Sequence, residues 1–388
     1  MSIDPVERAL ELRKTLINDD NEILVVDFSD TLEGKDTSKV IDLMPNIRTG
    51  EYVFRSKINV KEIDPLAHKI YGLDYFDLES KTSKEIEDFV KKQIFDFPLW
   101  FKHNGGFDMK NISDYNIPLL FQVAGCNFHD GESTGGCKYC FVDDKSNNGI
   151  PDEGKTLLSV DDTVNSFLKA KEKIKEYYSE RESRMNLKVL RCSGGEPTIV
   201  LDWILDLWDE MDRRGFDIVG QLDSNLSTGR LVNYFEEEGI YEENILRKLA
   251  RHPIKVLTAI KGVTNQNIKN NVQADFDLEN QMYSLKKFLE AGFDIYPQMY
   301  NPDPNKLEDY LIQMDKEIEN FSLRVHVGPL KVYSPTIHRL GRSVDSFSKI
   351  WDKNYEKSCK IIDSYLRENY GVGYKENVRS DVELKLLD

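Results

Sequence analysis

Nowhere in the 388 residues does an apolar run approach the roughly 18–20 residues that cross a bilayer, so no membrane-spanning helix is expected. Positive charge is also in short supply. The 52 Lys and Arg stand against 68 Asp and Glu, a formal balance of −16. Clustered Lys and Arg are what draw a protein to polyphosphate, so this balance argues against nucleic acid as a partner. The opening MSIDPVERALELRKTLINDD lacks the apolar stretch of a secretion signal, and the chain reads as soluble and cytoplasmic, with no membrane partner. Internal repeats and low-complexity tracts are absent. Cysteine is sparse and odd in number: Cys126, Cys137, Cys140, Cys192 and Cys359. A disulfide framework does not fit five widely spaced thiols. What is present suffices for a packed core, 40% apolar and 11% aromatic residues, which excludes wholesale disorder.

Residues 1–112 read as an N-terminal extension of mixed α/β character, outside the catalytic core. A helix is expected over 7–16, a short strand over 22–28 and a second helix over 82–95, opened by a capping box at Thr82 and Glu85. Pro65, Pro98 and the Gly105–Gly106 pair punctuate the rest. From about residue 115, apolar runs of strand length alternate with amphipathic helical stretches. Strands are expected over 117–124, 187–192, 216–222, 255–260, 293–299 and 323–327. Helices are expected after a cap at Ser159 and Asp162, over 201–213, over 278–289 and over 344–370. Six βα units in succession imply an α/β fold with a parallel sheet and helices outside, curved by right-handed crossovers into a partial (β/α)6 barrel. The expected division is a core over 113–340 and a C-terminal helical extension over 341–388.

Three of the five cysteines form Cys126-x10-Cys137-x2-Cys140, directly after the first core strand, where a parallel α/β fold presents its functional loops. Such a triad can hold zinc with a distant fourth ligand, Cys192 or His129. It can equally hold an iron–sulfur cluster with one iron left open. Spacing alone does not separate the two. A second motif, Arg191-Cys192-Ser193-Gly194-Gly195-Glu196-Pro197-Thr198, follows the second core strand. Its glycines allow close backbone approach and Pro197 starts a helix. Alone it is an ordinary strand-to-helix turn; one strand after a cysteine triad it is a strong signal.

Together the two motifs resemble the radical S-adenosylmethionine superfamily over roughly residues 115–335, in particular its activating-enzyme-like branch. The loop departs from the usual Cys-x3-Cys-x2-Cys in having ten residues, not three, in its first gap. The resemblance implies a [4Fe–4S] cluster on Cys126, Cys137 and Cys140, with S-adenosyl-L-methionine on the open iron. It places Tyr139 beside the adenine and gives Gly194, Gly195 and Glu196 the methionine amine. Asp223, Ser224 and Asn225 would lie near methionine and ribose, and Lys261 against the methionine carboxylate. The acidic residue usual two positions before that lysine is Ala259 here. Gln298, Tyr300, His326, Lys331 and Tyr333 fall on the side where substrate and adenosine should sit. His326 also reads as a core histidine, Cys192 as a buried small hydrophobe and Cys359 as structural.

The activity implied is reductive cleavage of S-adenosylmethionine at a single cluster, then hydrogen abstraction from an unidentified substrate: a protein glycine, a metabolite or a nucleoside. The electron would come from a low-potential donor of the flavodoxin or ferredoxin type. With only Cys192 and Cys359 left over, a second all-cysteine cluster lacks ligands, which argues against sulfur insertion. No cobalamin-binding module is recognisable in residues 1–110. The alternatives are a non-catalytic iron–sulfur or zinc-binding α/β protein and a degenerate scaffold of the same superfamily.

Overall fold

The structure is a computed structural model; it describes residues 3–26, 42–45, 52–56, 59–62, 69–70, 73–74, 116–131, 135–152, 154–179, 186–330, 332–374, 376–377, 379 and 382–387. The helix expected over 82–95, the breaks at Pro65, Pro98 and Gly105–Gly106, and Lys331 lie outside the described residues.

The chain starts with helix α1 (Pro5–Leu16), whose first turn is set by Pro5 and by Asp4, which accepts from Val6 N at 2.8 Å. The central sheet is built on six strands: β1 (Asn116–Val123), β2 (Asn186–Gly194), β3 (Val219–Ser224), β4 (Ile254–Ile260), β5 (Asp294–Tyr300) and β6 (His326–Gly328). They pair in chain order, all parallel. Helices cross between them: α2 (Val160–Ser179), α3 (Leu201–Arg213), α4 (Gly229–Glu237), α5 (Leu278–Glu290) and α6 (Leu307–Glu317). The run is open. Beyond β1 the sheet continues into short strands at Asp42–Pro45, Tyr52–Ser56 and Asn59–Glu62, and Ile23–Val26 bridges β1 antiparallel. At the far edge Val327 N donates to Tyr374 Oη at 2.9 Å, so the C-terminal segment meets the exposed side of β6.

The helices form where the apolar stripe predicts. In α3, Leu201, Ile204, Leu205, Trp208 and Met211 are all buried, one face at helical spacing. The start of α2 is a capping box: Asp162 N donates to Ser159 Oγ at 3.1 Å while that hydroxyl donates to Asp162 Oδ2 at 2.7 Å. Two further helices close the chain, α7 (Ser334–Leu340) and α8 (Val344–Tyr370). One expectation fails locally. Of the strand expected over 323–327, residues 323–324 belong to a helical turn (Phe321–Arg324), and β6 begins only at His326. Asn320 takes φ +64°, and Arg324 sends its buried guanidinium to Ile295 O, Asp294 Oδ1 and Arg379 O, which requires the chain to turn there. Among the described residues no helix is long and apolar enough to cross a membrane.

Candidate functional site

Two loops at the C-terminal ends of β1 and β2 are pressed together, and glycine makes this possible. A Cβ on Gly195 would lie 1.5 Å from Gly125 O, and Gly194 sits at φ +121°. Gly195 N donates to Val123 O at 3.0 Å and Glu196 N to Gly125 O at 2.9 Å. Any side chain at Gly195 would push the Gly-Gly-Glu-Pro turn off the cysteine loop.

Glu196 is fully buried. Its Oε1 accepts from Thr198 N and from the Thr198 hydroxyl, and its Oε2 accepts from Asn225 N at 2.7 Å. Burial pushes its carboxyl up to about 7, against the pull of those hydrogen bonds and of Lys261. Both oxygens are engaged by the protein, so the carboxylate ties the loop after β2 to the loop after β3.

The long first gap of the cysteine loop is held from three directions. His129 Nδ1 accepts from Gly131 N at 3.0 Å, so Nε2 carries the proton and donates to Asp144 Oδ1 at 3.2 Å. Arg339, from α7, reaches Cys140 O at 2.8 Å, Val142 O at 3.1 Å and Asp144 Oδ1 at 2.8 Å. Burial raises the Asp144 carboxyl, yet His129 and Arg339 together hold it below its ordinary value. From α1, Arg8 donates to His129 O at 2.9 Å and Asn148 O at 2.8 Å. Part of the segment read as lying outside the core therefore braces the site.

These contacts bear on which group the triad would hold. With its two nitrogens spent on Gly131 and Asp144, His129 is not available as a fourth zinc ligand. Cys192 is not available either. It stands in register with Phe121 and Leu222, buried in the apolar layer under the helices. Among the described residues no three His, Cys, Asp or Glu side chains converge on one ion. A cube whose irons each take one thiolate does not require such convergence.

The thiols are buried, and donors and cations stand around them. Burial pushes the Cys126 and Cys140 thiols up. The Phe128 N–H opposes this at Cys126; the Arg339 charge, the Val142 N–H and the Lys261 charge oppose it at Cys140. Lys261 is 6% exposed; its Nζ stands 5.9 Å from the Phe128 ring centre and 6.0 Å from that of Tyr139, with no hydrogen bond or ion pair to a described residue. A buried ammonium in that position calls for an anion. Tyr139 packs 5.6 Å from Tyr300 and 6.4 Å from Trp351 of α8, and its buried hydroxyl has no partner among the described residues. The donor set and the two unmatched polar groups fit a cluster with an anionic ligand beside it.

The other expected residues divide. Asn225 is at the cysteines, donating from Nδ2 to Asn127 Oδ1 at 2.9 Å, and Ser224 is buried, its Oγ accepting from Leu226 N at 3.1 Å. Asp223 lies on the opposite face of the sheet from Cys192, where Oδ2 accepts from Arg191 Nε and NH2 at 3.0 and 2.7 Å and Oδ1 from Gln221 Nε2 at 2.6 Å. On the same face Tyr300 Oη donates to Gln298 Oε1 at 2.7 Å, and Gln298 Nε2 lies 3.3 Å from His326 Nδ1. Burial drives the His326 imidazole well below its ordinary value, so it is neutral. Ala259 is the register partner of Gln298. Tyr333 stacks edge-on against Phe141, and Cys359 packs partly buried against the core. Sequence reasoning missed Arg8, Asn147 and Arg339. Arg339 acts on a carbonyl 199 positions away, and no local pattern marks it.

No protein-family model matches the sequence, and no curated protein matches it. Several solved structures resemble the chain. One is the cobalamin-dependent S-adenosylmethionine radical enzyme OxsB with aqua-cobalamin bound, at 12% identity and TM-score 0.38, covering 79% of this chain and 35% of that one. Another is anSMEcpe with bound AdoMet, at 14% identity and TM-score 0.38, covering 65% of this chain and 58% of that one. A third is spore photoproduct lyase with bound AdoMet and dinucleoside spore photoproduct, at 11% identity and TM-score 0.34, covering 66% and 64%. The chain thus spans about a third of the length of OxsB and less than two thirds of the other two.

Proposed function

We propose that this chain is a radical S-adenosylmethionine enzyme holding one [4Fe–4S] cluster on Cys126, Cys137 and Cys140. The observation that carries the reading is the pairing of buried thiols, met by hydrogen-bond donors and cations, with a buried ammonium at Lys261 that makes no hydrogen bond or ion pair to a described residue. When bound, the cluster supplies one electron that splits S-adenosylmethionine to methionine and a 5′-deoxyadenosyl radical, which takes a hydrogen atom from the substrate. The residues of the chain do the rest. Arg339, His129 and Asp144 keep the cysteine loop in one shape. Lys261 neutralises the methionine carboxylate, the Gly194–Gly195 backbone accepts from the amine, and Asn225 and Ser224 stand by the ribose. Tyr139, Tyr300 and Trp351 exclude water around the adenosine.

The substrate lies along the polar face formed by Arg191, Asp223, Gln221, Gln298 and His326. That face suits a polar metabolite, a nucleoside or a backbone glycine better than a lipid. A flavodoxin or ferredoxin type donor delivers the electron. The core spans 113–340, with α1 bracing it and α8 contributing Trp351.

The test is direct. Protein reconstituted anaerobically and given S-adenosylmethionine and dithionite should release 5′-deoxyadenosine even without substrate. Cys137→Ala should abolish that release. Release that persists in this variant, or none from the intact protein, contradicts the proposal.

A further inference from the structure

Two of the three cysteine sulfurs are met by a side-chain amide. Asn225 Nδ2 lies 3.8 Å from Cys126 Sγ, and Asn147 Nδ2 lies 3.8 Å from Cys140 Sγ. Each of these sulfurs also receives a backbone N–H from two residues further on, Phe128 for Cys126 and Val142 for Cys140. Cys137 Sγ has no side-chain amide donor among the described residues.

Both asparagines are buried and fixed by other bonds. Asn225 is anchored through its N–H to Glu196 Oε2 and through Nδ2 to Asn127 Oδ1. It arrives from the loop after β3, 99 positions from Cys126. Asn147 closes the helical turn Asp144–Asn147. Its carbonyl accepts from Cys126 N at 2.8 Å, and Nδ2 also donates to Val142 O at 3.2 Å. Each amide is thus held rigidly at a sulfur it reaches from a different part of the chain. A neutral thiol gains little from such a donor, whereas a sulfur carrying negative charge gains a charge-assisted bond. Hydrogen bonds to the sulfurs are among the quantities that set the potential of an iron–sulfur cluster.

Resting on the cluster assignment made above, we propose that Asn147 and Asn225 are positioning residues that raise the reduction potential of the cluster through N–H···S hydrogen bonds to Cys140 and Cys126. In the couple concerned, one electron passes from a one-electron donor, dithionite in the test tube, to the cluster. The donor is oxidised, no covalent bond forms or breaks, and the cluster becomes more negative by one charge. Each N–H···S bond therefore strengthens on reduction and favours the reduced form.

The experiment is a redox titration of reconstituted protein followed by electron paramagnetic resonance. Asn147→Leu and Asn225→Leu should each lower the equilibrium constant for reduction about tenfold, a midpoint about 59 mV more negative for one electron. The double variant should lower it about a hundredfold, since the two amides serve different sulfurs. Midpoints that stay at the wild-type value in variants with full iron content overturn the inference and leave the proposed function standing. A wild-type protein that takes up no iron overturns the cluster assignment itself. Should Asn225→Leu lose its iron, Asn225→Ser, whose side chain is too short to reach the sulfur, carries the same expectation. Wild-type protein labelled with 15N-asparagine supplies a readout without mutation. Pulsed resonance should detect 15N coupling to the reduced cluster that weakens in Asn147→Leu and in Asn225→Leu and is smallest in the double variant; no coupling in wild type overturns the inference.

Discussion

Phe121, Cys192, Leu222, Val256 and Ile295 are register partners across five neighbouring strands, and none is more than 4% exposed. The residues immediately before the last four of them, Arg191, Gln221, Lys255 and Asp294, form the adjacent row, and every one is charged or polar. The side-chain period of a strand is two, so these rows lie on opposite faces of one sheet. Parallel sheets covered on both sides are usually apolar on both. Here one face is packed for stability under α2–α6, and the other carries an ion pair and hydrogen-bonded amides that cost stability to bury. The contrast separates the face that packs the fold from the face that is free to bind a polar ligand. It continues upward to the loops, where the polar row leads to Lys261 and Tyr300.

The sharpest break of this comparison uses two cysteines. Cys137→Ser should abolish iron uptake and 5′-deoxyadenosine release while leaving the urea midpoint of the metal-free protein nearly unchanged. Cys192→Ser should do the reverse: iron content stays, and unfolding free energy falls by about 1–3 kcal/mol because a hydroxyl is buried in an apolar layer. Next in size, Leu222→Ala should cost about 2–5 kcal/mol in urea unfolding through the cavity it leaves. Gln221→Ala, one residue earlier, should cost under about 1 kcal/mol and show itself in substrate turnover instead.

Glu196 gives a pH signature. Its folded carboxyl titrates near 7, above the ordinary 4.5, so the native state keeps a proton that the unfolded chain releases. The contribution of Glu196 to the stability of the metal-free protein should therefore be greatest below about pH 4.5, fall as pH rises to about 7 and then level. The loss is on the order of 3 kcal/mol, and Glu196→Gln should flatten that window in urea titrations. Smallest is Lys261→Met. Removing an unmatched buried charge should leave the metal-free protein as stable or about 1 kcal/mol more so. Equilibrium dialysis should show S-adenosylmethionine binding to the reconstituted variant about tenfold weaker, ~1.4 kcal/mol.

Much of the parallel scaffold could be read from the chain because its signals are local. Leu201–Arg213 and Val344–Tyr370 appear with the expected bounds, and the six core strands lie within three residues of expectation at each end. The positions of the triad and of the Gly-Gly-Glu-Pro turn after their strands were legible for the same reason, whereas Asn225 and Lys261 were singled out through the family resemblance. The failures were contacts with no local signature. Arg324 turns the chain at Phe321–Arg324 through bonds to Ile295, Asp294 and Arg379, and so cuts short a run that reads as strand. The bonds by which Thr198 and Asn225 engage Glu196 join two separate loops and leave no mark in the sequence. Arg8 and Arg339 reach the cysteine loop from the two ends of the chain, which only tertiary packing can arrange.

The claim at the centre is that three thiols with buried donors around them hold an iron–sulfur cube. Anaerobic reconstitution with iron and sulfide, followed by iron analysis and the visible spectrum, addresses it without need of a substrate. The account predicts a brown protein with about four irons per chain, lost in Cys126→Ala, Cys137→Ala and Cys140→Ala and kept in Cys192→Ala. A colourless protein, or one that binds a single zinc ion through the same cysteines, would contradict it.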